Sequence, residues 1–162
     1  MNNHSNEQGT VVRPACETDI DEVLEIERLS FTNPWKSSWV KQSLKDIFVV
    51  FEQKKILGYL IACLCEFGKK AVILKVAVHP DHRRKGVAKA LLKTSVEIIA
   101  KEGVEEVELD VEMYQQGAVK LYEDFGFKIG RIAHFMDAFA EDSETFYVMT
   151  LTLPKSEGKG KR

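Results

Sequence analysis

The residues best suited to chemistry begin in the segment HRRKGVAKALL, His82–Leu92. Within it, Arg83-x-x-Gly86-x-Ala88 reads as a tight basic turn opening a helix. The first backbone N–H groups of a helix have no internal partner and carry partial positive charge. Gly86 and Ala88 lack bulk, so an anion can approach those groups closely, and Arg83, Arg84 and Lys85 add charge. Basic charge at a helix start is otherwise unfavourable, so the pattern favours an anion site over a solvated helix end. The loop is neither a Walker A loop, since GxxxxGK[ST] is absent, nor a dinucleotide fingerprint, since GxGxxG is absent. A second set lies downstream, where Glu106, Glu108, Asp110 and Glu112 alternate with Val107, Leu109 and Val111. Alternation of this kind puts the carboxylates on one face of a half-buried strand.

The elements that must position these groups follow from hydrophobic periodicity. Val11–Arg13 reads as a first strand, ended by Pro14. Glu17–Ser30 carries Ile20, Val23, Leu24, Ile26 and Leu29 near helical spacing, with Thr18 and Asp21 as a capping signal. Pro34 keeps Phe31–Trp35 from continuing that helix, and Ser37–Leu44 forms a second short one. Strands are expected at Ile47–Glu52, Ile56–Glu66 and Ala71–His79, the last two joined by a hairpin containing Gly68. His82–Lys101 is the clearest helix, with Val87, Ala88, Leu91, Leu92, Ser95, Ile98 and Ile99 on one face and Gly103 as its stop. A strand around Val107–Val111, a helix over Gln116–Phe125 stopped by Gly126, and strands at Phe127–Ile132 and Thr145–Leu153 complete the chain. The order β-α-α-β-β-β-α-β-α-β-β predicts an α/β fold with a central mixed sheet flanked by helices.

Two of these segments carry a specific resemblance. VAVHPDHRRKGVAKALL, Val76–Leu92, resembles motif A of the GNAT acetyltransferases, and LDVEMYQQGAVKLYEDFGF, Leu109–Phe127, resembles that family's second signature. Within the family, the FTNPW segment, Phe31–Trp35, is similar to a loop element of the RimI/Ard1-like protein N-terminal acetyltransferases. The similarity spans roughly residues 11–153 and implies a single domain with the GNAT acyl-CoA N-acyltransferase fold. It implies an enzyme that uses acetyl-CoA as cosubstrate and acetylates the N-terminal α-amine of a protein by direct attack in a ternary complex.

Such a reaction must hold a thioester, deprotonate an amine, stabilise an oxyanion and protonate a thiolate. The resemblance assigns Val76, Ala77 and Val78 to the pantetheine and the oxyanion, and Arg83, Arg84, Lys85, Gly86, Val87, Ala88 and Lys89 to the pyrophosphate. Gln115 stands where the family has a CoA-binding asparagine. Tyr122 matches the tyrosine that protonates the CoA thiolate. Asp110 stands where the RimI-like group has a glutamate base and, being one methylene shorter, would work through a water. Glu112, on the same face, would help attract the ammonium. An α-amine, with a pKa of about 7.7–8.0, is far easier to deprotonate than a lysine near about 10.4, which suits a weak base. Phe31, Pro34 and Trp35 would wall the peptide cleft. His134, Phe135 and Met136 replace a substrate-gripping tyrosine pair of the RimI/Ard1-like group in the loop after the sixth strand.

Composition bounds the alternatives. The chain has 162 residues, 44% hydrophobic and 30% charged, enough for a core without metal or disulfide staples. A net charge of -2 argues against a body built for nucleic acid. Residues 1–10 are polar, without the regions of a signal peptide, and residues 154–162 form a basic tail; both are expected to be flexible. No apolar run long enough to span a membrane is present, and no metal is expected. Cys16, Cys63 and Cys65 fit a reducing cytoplasm, with Cys63 and Cys65 as core or half-buried packing residues. A ribosome or an auxiliary subunit stays open as a partner, as do a small amine or a lysine as acceptor and a CoA-binding role without turnover.

Overall fold

In the computed structural model the described residues are 9–65, 69–135 and 144–155. The expectations for residues 1–8, Glu66, Gly68, Met136 and 156–162 lie outside them. Strands β1 (Thr10–Pro14), β2 (Ile47–Gln53), β3 (Lys55–Leu64), β4 (Lys70–Val78), β5 (Glu106–Glu112), β6 (Lys128–Phe135) and β7 (Glu144–Thr152) form one sheet in the order β1-β2-β3-β4-β5-β7-β6. Strands β4 and β5 run parallel, and the pairs β1–β2, β2–β3, β5–β7 and β6–β7 are antiparallel. The helices are α1 (Ile20–Ser30), α2 (Ser37–Gln42), α3 (Val87–Lys101) and α4 (Gln116–Phe125). This is the expected element order in a mixed sheet flanked by helices. Among the described residues no helix is long and apolar enough to cross a membrane.

The chain forms two compact units, Met1–Ala62 with Lys75–Ser95, and Cys63–Leu74 with Val96–Arg162. In the first, Ile20, Val23 and Ile26 of α1, Val40 of α2, Phe48 and Val50 of β2, and Ile56, Tyr59 and Ile61 of β3 make a buried cluster. The alternation of apolar residues on the strands meets the helical spacing on α1 there, which is why both elements form. Gly58 fits a close approach within this unit, since a Cβ there would stand 2.9 Å from the Ala77 carbonyl oxygen and 2.9 Å from Val87 Cγ1. In the second unit, Val107, Leu109 and Val111 of β5 and Val148 and Met149 of β7 are buried.

Several boundaries differ from the sequence expectations. The first helix is preceded by a 3-10 turn, Glu17–Asp19, and the predicted Thr18/Asp21 cap is replaced by Cys16 and Asp19. Asp19 accepts the Cys16 N–H at 2.8 Å and also pairs with Arg13, two donors that fix it at the helix entry. The second helix ends at Gln42 and continues as a 3-10 turn, Ser43–Lys45. The first strand already includes Thr10, which pairs with Gln53. Cys63 is half-buried, but Cys65 is exposed, because it lies just beyond the end of β3.

Arg13 joins Asp19 and Glu52 in one network, donating to Asp19 at 2.8 and 2.9 Å and also pairing with Glu52. The hydrogen bond from Arg13 holds the Asp19 carboxyl at about 2, against 3.8 for the ordinary group. The unfolded chain therefore takes up this proton first as the pH falls. The pair stabilises the fold above pH 3.8, and that contribution is lost as the pH falls through 2. Its size is about 2 kcal/mol. Urea unfolding followed from neutral pH downward should show this loss, and Asp19→Asn should be less stable at neutral pH with a flatter acid slope. An unchanged slope in Asp19→Asn would contradict the assignment.

Candidate functional site

In the first unit, β4 leads into a short 3-10 turn, Pro80–His82, where the His79 side chain accepts the Asp81 N–H at 3.1 Å. The sequence pattern predicts helix from His82, but α3 starts at Val87. The reason is backbone geometry. Arg84 has φ 62° and Gly86 has φ 81°, left-handed conformations that an α-helix cannot contain. The first intrahelical bond runs from Ala90 N–H to Gly86 O at 3.1 Å. The N–H groups of Val87, Ala88 and Lys89 thus precede the helix ladder, at its positive end. A Cβ placed on Gly86 would meet nothing within 4 Å, so the space before the helix is open there.

The basic residues of this loop divide by environment. Arg83, Arg84, Lys85 and Lys89 are all exposed, but the Arg83 guanidinium is hydrogen-bonded to the protein. Its Nε donates to Val78 O at 3.0 Å and its Nη2 to Ser30 Oγ at 3.3 Å. Arg83 therefore braces the loop against β4 and α1. Of the predicted donor strand, Ala77 and Val78 are buried and Val76 is half-buried.

Phe31, Pro34 and Trp35 lie in the connection between α1 and α2. Phe31 and Trp35 are half-buried against the first unit's core, and Pro34 is exposed. They surround Lys75 of β4, whose Nζ stands 3.7 Å from the Phe31 ring centroid and 4.9 Å from that of Trp35. Lys75 pairs at 2.8 Å with Glu27, which is buried. Glu27 also accepts the Tyr59 hydroxyl at 2.6 Å and the Trp35 backbone N–H at 2.6 Å. Burial, with the bond to Glu27, raises the Tyr59 pKa, so its hydroxyl remains a donor. Sequence reasoning missed Glu27, Tyr59 and Lys75. A signal for Glu27 existed, since it follows Val23 by one helical turn and so falls on the apolar face of α1.

In the second unit, the β4–β5 pairing ends at Ile73–Leu109, while β5 continues to Glu112. The predicted acidic face is partly neutralised there. Glu108 pairs with Lys70 and, at 3.7 Å, with Arg131, and Glu106 lies 3.7 Å from Lys70. The hydrogen bond to Glu108 raises the Lys70 pKa, keeping it charged. Asp110 is exposed on the same strand. Glu112 accepts from Gln115 Nε2 at 3.3 Å, so Gln115 is turned onto β5 from the residue before α4.

Tyr122 is half-buried on α4 and meets the Phe127 ring edge-on, with centroids 5.9 Å apart. Gly126, with φ 118°, ends the helix so that the Phe127 N–H bonds Tyr122 O at 2.9 Å. Burial pushes the Tyr122 phenol up to about 12. His134 and Phe135 were expected in a loop, but β6 extends to Phe135 because these residues pair with Thr145 and Glu144 of β7. His134 is exposed, with Nδ1 3.3 Å from Thr145 Oγ1.

The structure thus gathers Phe31 and Trp35 around Lys75 in one unit, and Glu112 with Gln115 in the other. Known proteins share this arrangement of chain. An N-alpha-acetyltransferase of Saccharolobus solfataricus is 27% identical over 158 residues, covering 88% of this chain and 92% of its own. A ribosomal protein bS18-alanine N-acetyltransferase of Escherichia coli is 24% identical over 139 residues, covering 84% and 93%. The crystal structure of Ard1 from Thermoplasma volcanium superposes with a TM-score of 0.79 at 22% identity, covering 91% of this chain and 99% of that one. The sequence profile of the Acetyltransferase (GNAT) family matches residues 20–127, through both segments that carry the resemblance, and the chain belongs to that family.

Proposed function

We propose that this enzyme transfers the acetyl group of acetyl-CoA to the α-amine at the N-terminus of a protein. The observation that carries the reading is the start of α3, where left-handed Arg84 and Gly86 deliver the amides of Val87, Ala88 and Lys89 ahead of the helix ladder. Those amides, with exposed Arg84, Lys85 and Lys89, suit a pyrophosphate. The protein α-amine as acceptor is supported by the names of the Saccharolobus and E. coli relatives, each aligned over most of its length. It is also supported by the Phe31–Trp35 loop, whose two aromatic side chains offer apolar walls to a peptide.

Acetyl-CoA, when bound, supplies a thioester carbonyl to be attacked. In the proposed mechanism the backbone of Val76–Val78 aligns that carbonyl and donates a hydrogen bond to its oxygen as charge develops. Asp110 takes the proton of the substrate ammonium through a water, freeing the nitrogen lone pair. The C–N bond then forms, the C–S bond breaks, and a second proton leaves the nitrogen as the thiolate gains one. Tyr122 serves the leaving sulfur. With its phenol at about 12, complete transfer to a thiolate near about 8.5 is uphill, so Tyr122 acts chiefly as a hydrogen-bond donor that stabilises the sulfur as it departs.

Mass spectrometry of matched peptides tests the acceptor, one with a free N-terminus and blocked lysine, the other with a blocked N-terminus and free lysine. The enzyme should add one acetyl group to the first peptide only. Tyr122→Phe should lower kcat by about 10- to 100-fold. Acetylation of lysine alone would overturn the acceptor assignment, and an undiminished Tyr122→Phe would remove the phenol from the mechanism.

Gly86→Val tests the donor site separately. The left-handed backbone disfavours a β-branched residue by about 1–2 kcal/mol, and the loop must shift to relieve it. The KM for acetyl-CoA should rise about tenfold, with the KM for peptide little changed. An unchanged acetyl-CoA KM would contradict the placement of the pyrophosphate.

A further inference from the structure

The loop that the reading above assigns to the peptide is closed onto one residue at both ends. The Phe31 N–H bonds the backbone carbonyl of Glu27 at 3.0 Å, and the Trp35 N–H bonds the Glu27 carboxylate at 2.6 Å. Glu27 is 1% exposed, and its carboxylate also takes the Tyr59 hydroxyl and the Lys75 ammonium. A carboxylate this deeply buried needs donors and a countercharge to offset the cost of leaving water. Lys75 is that cation. The same ammonium stands within cation–π range of both Phe31 and Trp35. A single positive charge therefore neutralises the residue that closes the loop and holds both aromatic rings.

We propose that Lys75, paired with Glu27, is a positioning residue that holds the Phe31–Trp35 loop in the shape that receives the first residue of the peptide. The proposal rests on the protein N-terminus as acceptor. In this role Lys75 acts through the groups it touches, Phe31, Trp35 and Glu27. It precedes Val76 on β4, so one strand serves both substrates. The Lys75 side chain orders the acceptor loop, and the backbone of the next three residues serves the acetyl donor. What Lys75 supplies is charge, because its contacts are a carboxylate and two ring faces. Arginine can supply the same interactions, and the apolar chain of methionine cannot.

Steady-state kinetics with a free-N-terminus peptide and acetyl-CoA test this on Lys75→Met, Lys75→Arg and the double variant Lys75→Met/Glu27→Gln. Lys75→Met should raise the peptide KM by about tenfold or more while the acetyl-CoA KM stays within about twofold. Lys75→Arg should return the peptide KM to within about threefold of the wild type. The double variant leaves no unpaired buried charge, so it remains informative if Lys75→Met alone does not fold. It should show the same raised peptide KM and unaltered acetyl-CoA KM, because the two residues act as one unit.

A peptide KM untouched in the variants that lack the charge would overturn the positioning role. So would an acetyl-CoA KM that rises in step, or a failure of arginine to rescue. A wild type that acetylates no peptide α-amine would overturn the acceptor reading and this role with it. An active wild type with an indifferent Lys75→Met would overturn this role alone.

Discussion

Left-handed backbone at Arg84 and Gly86 delays the start of helix α3 to Val87, and the donor half of the proposed chemistry depends on that delay. Were the helix to begin at His82, as its residue pattern invites, the amides of Val87, Ala88 and Lys89 would bond to carbonyls of the preceding turn. They would then offer nothing to an anion. The conformation is held from outside the helix. Arg83 bonds Val78 O and Ser30 Oγ, which ties the loop to the strand before it and to α1. One arginine in the basic run therefore supports the loop, and the exposed neighbours Arg84, Lys85 and Lys89 remain available for charge.

The acceptor side depends on a different balance. Glu27 is a buried carboxylate whose donors come from a loop backbone, from β3 and from β4. Such a group contributes little net stability compared with an apolar residue of the same volume, because desolvation offsets the pairing. Its effect is on geometry, since three donors with fixed directions define where Trp35 and Lys75 must stand. On β5 the opposite arrangement holds. Glu106 and Glu108 are matched by Lys70 and Arg131 near the surface, which neutralises that end of the acidic row and leaves Asp110 and Glu112 for the roles proposed above.

Much of this was legible in the chain. Helix α4 runs over Gln116–Phe125 as expected, because Gly126 supplies a left-handed stop that few other residues tolerate. The strand alternation at Val107–Val111 marks β5, and the two signature segments carry the resemblance to the family that matches residues 20–127. The failures have physical causes. Arginine rarely takes positive φ, so nothing in the composition of His82–Lys85 marks Arg84 as left-handed. His134 and Phe135 join β6 through pairing with a distant strand, which local propensity does not report. The partners of Glu108 also come from other strands. Glu27 was readable as a charge on an apolar helix face, but its donors Tyr59 and Lys75 stand far along the chain.

In the proposed reaction an N-terminal α-amine attacks acetyl-CoA directly while this chain holds both. The most direct measurement is the inhibition constant of a bisubstrate analogue, CoA joined through an acetyl bridge to the α-nitrogen of a short peptide. Two ligands joined in a geometry that the protein accepts gain the effective concentration of the linkage. The analogue should bind at least about a hundredfold more tightly than CoA and compete with acetyl-CoA and with peptide. An analogue that binds no better than CoA, or that leaves peptide binding undisturbed, would contradict direct attack in a ternary complex.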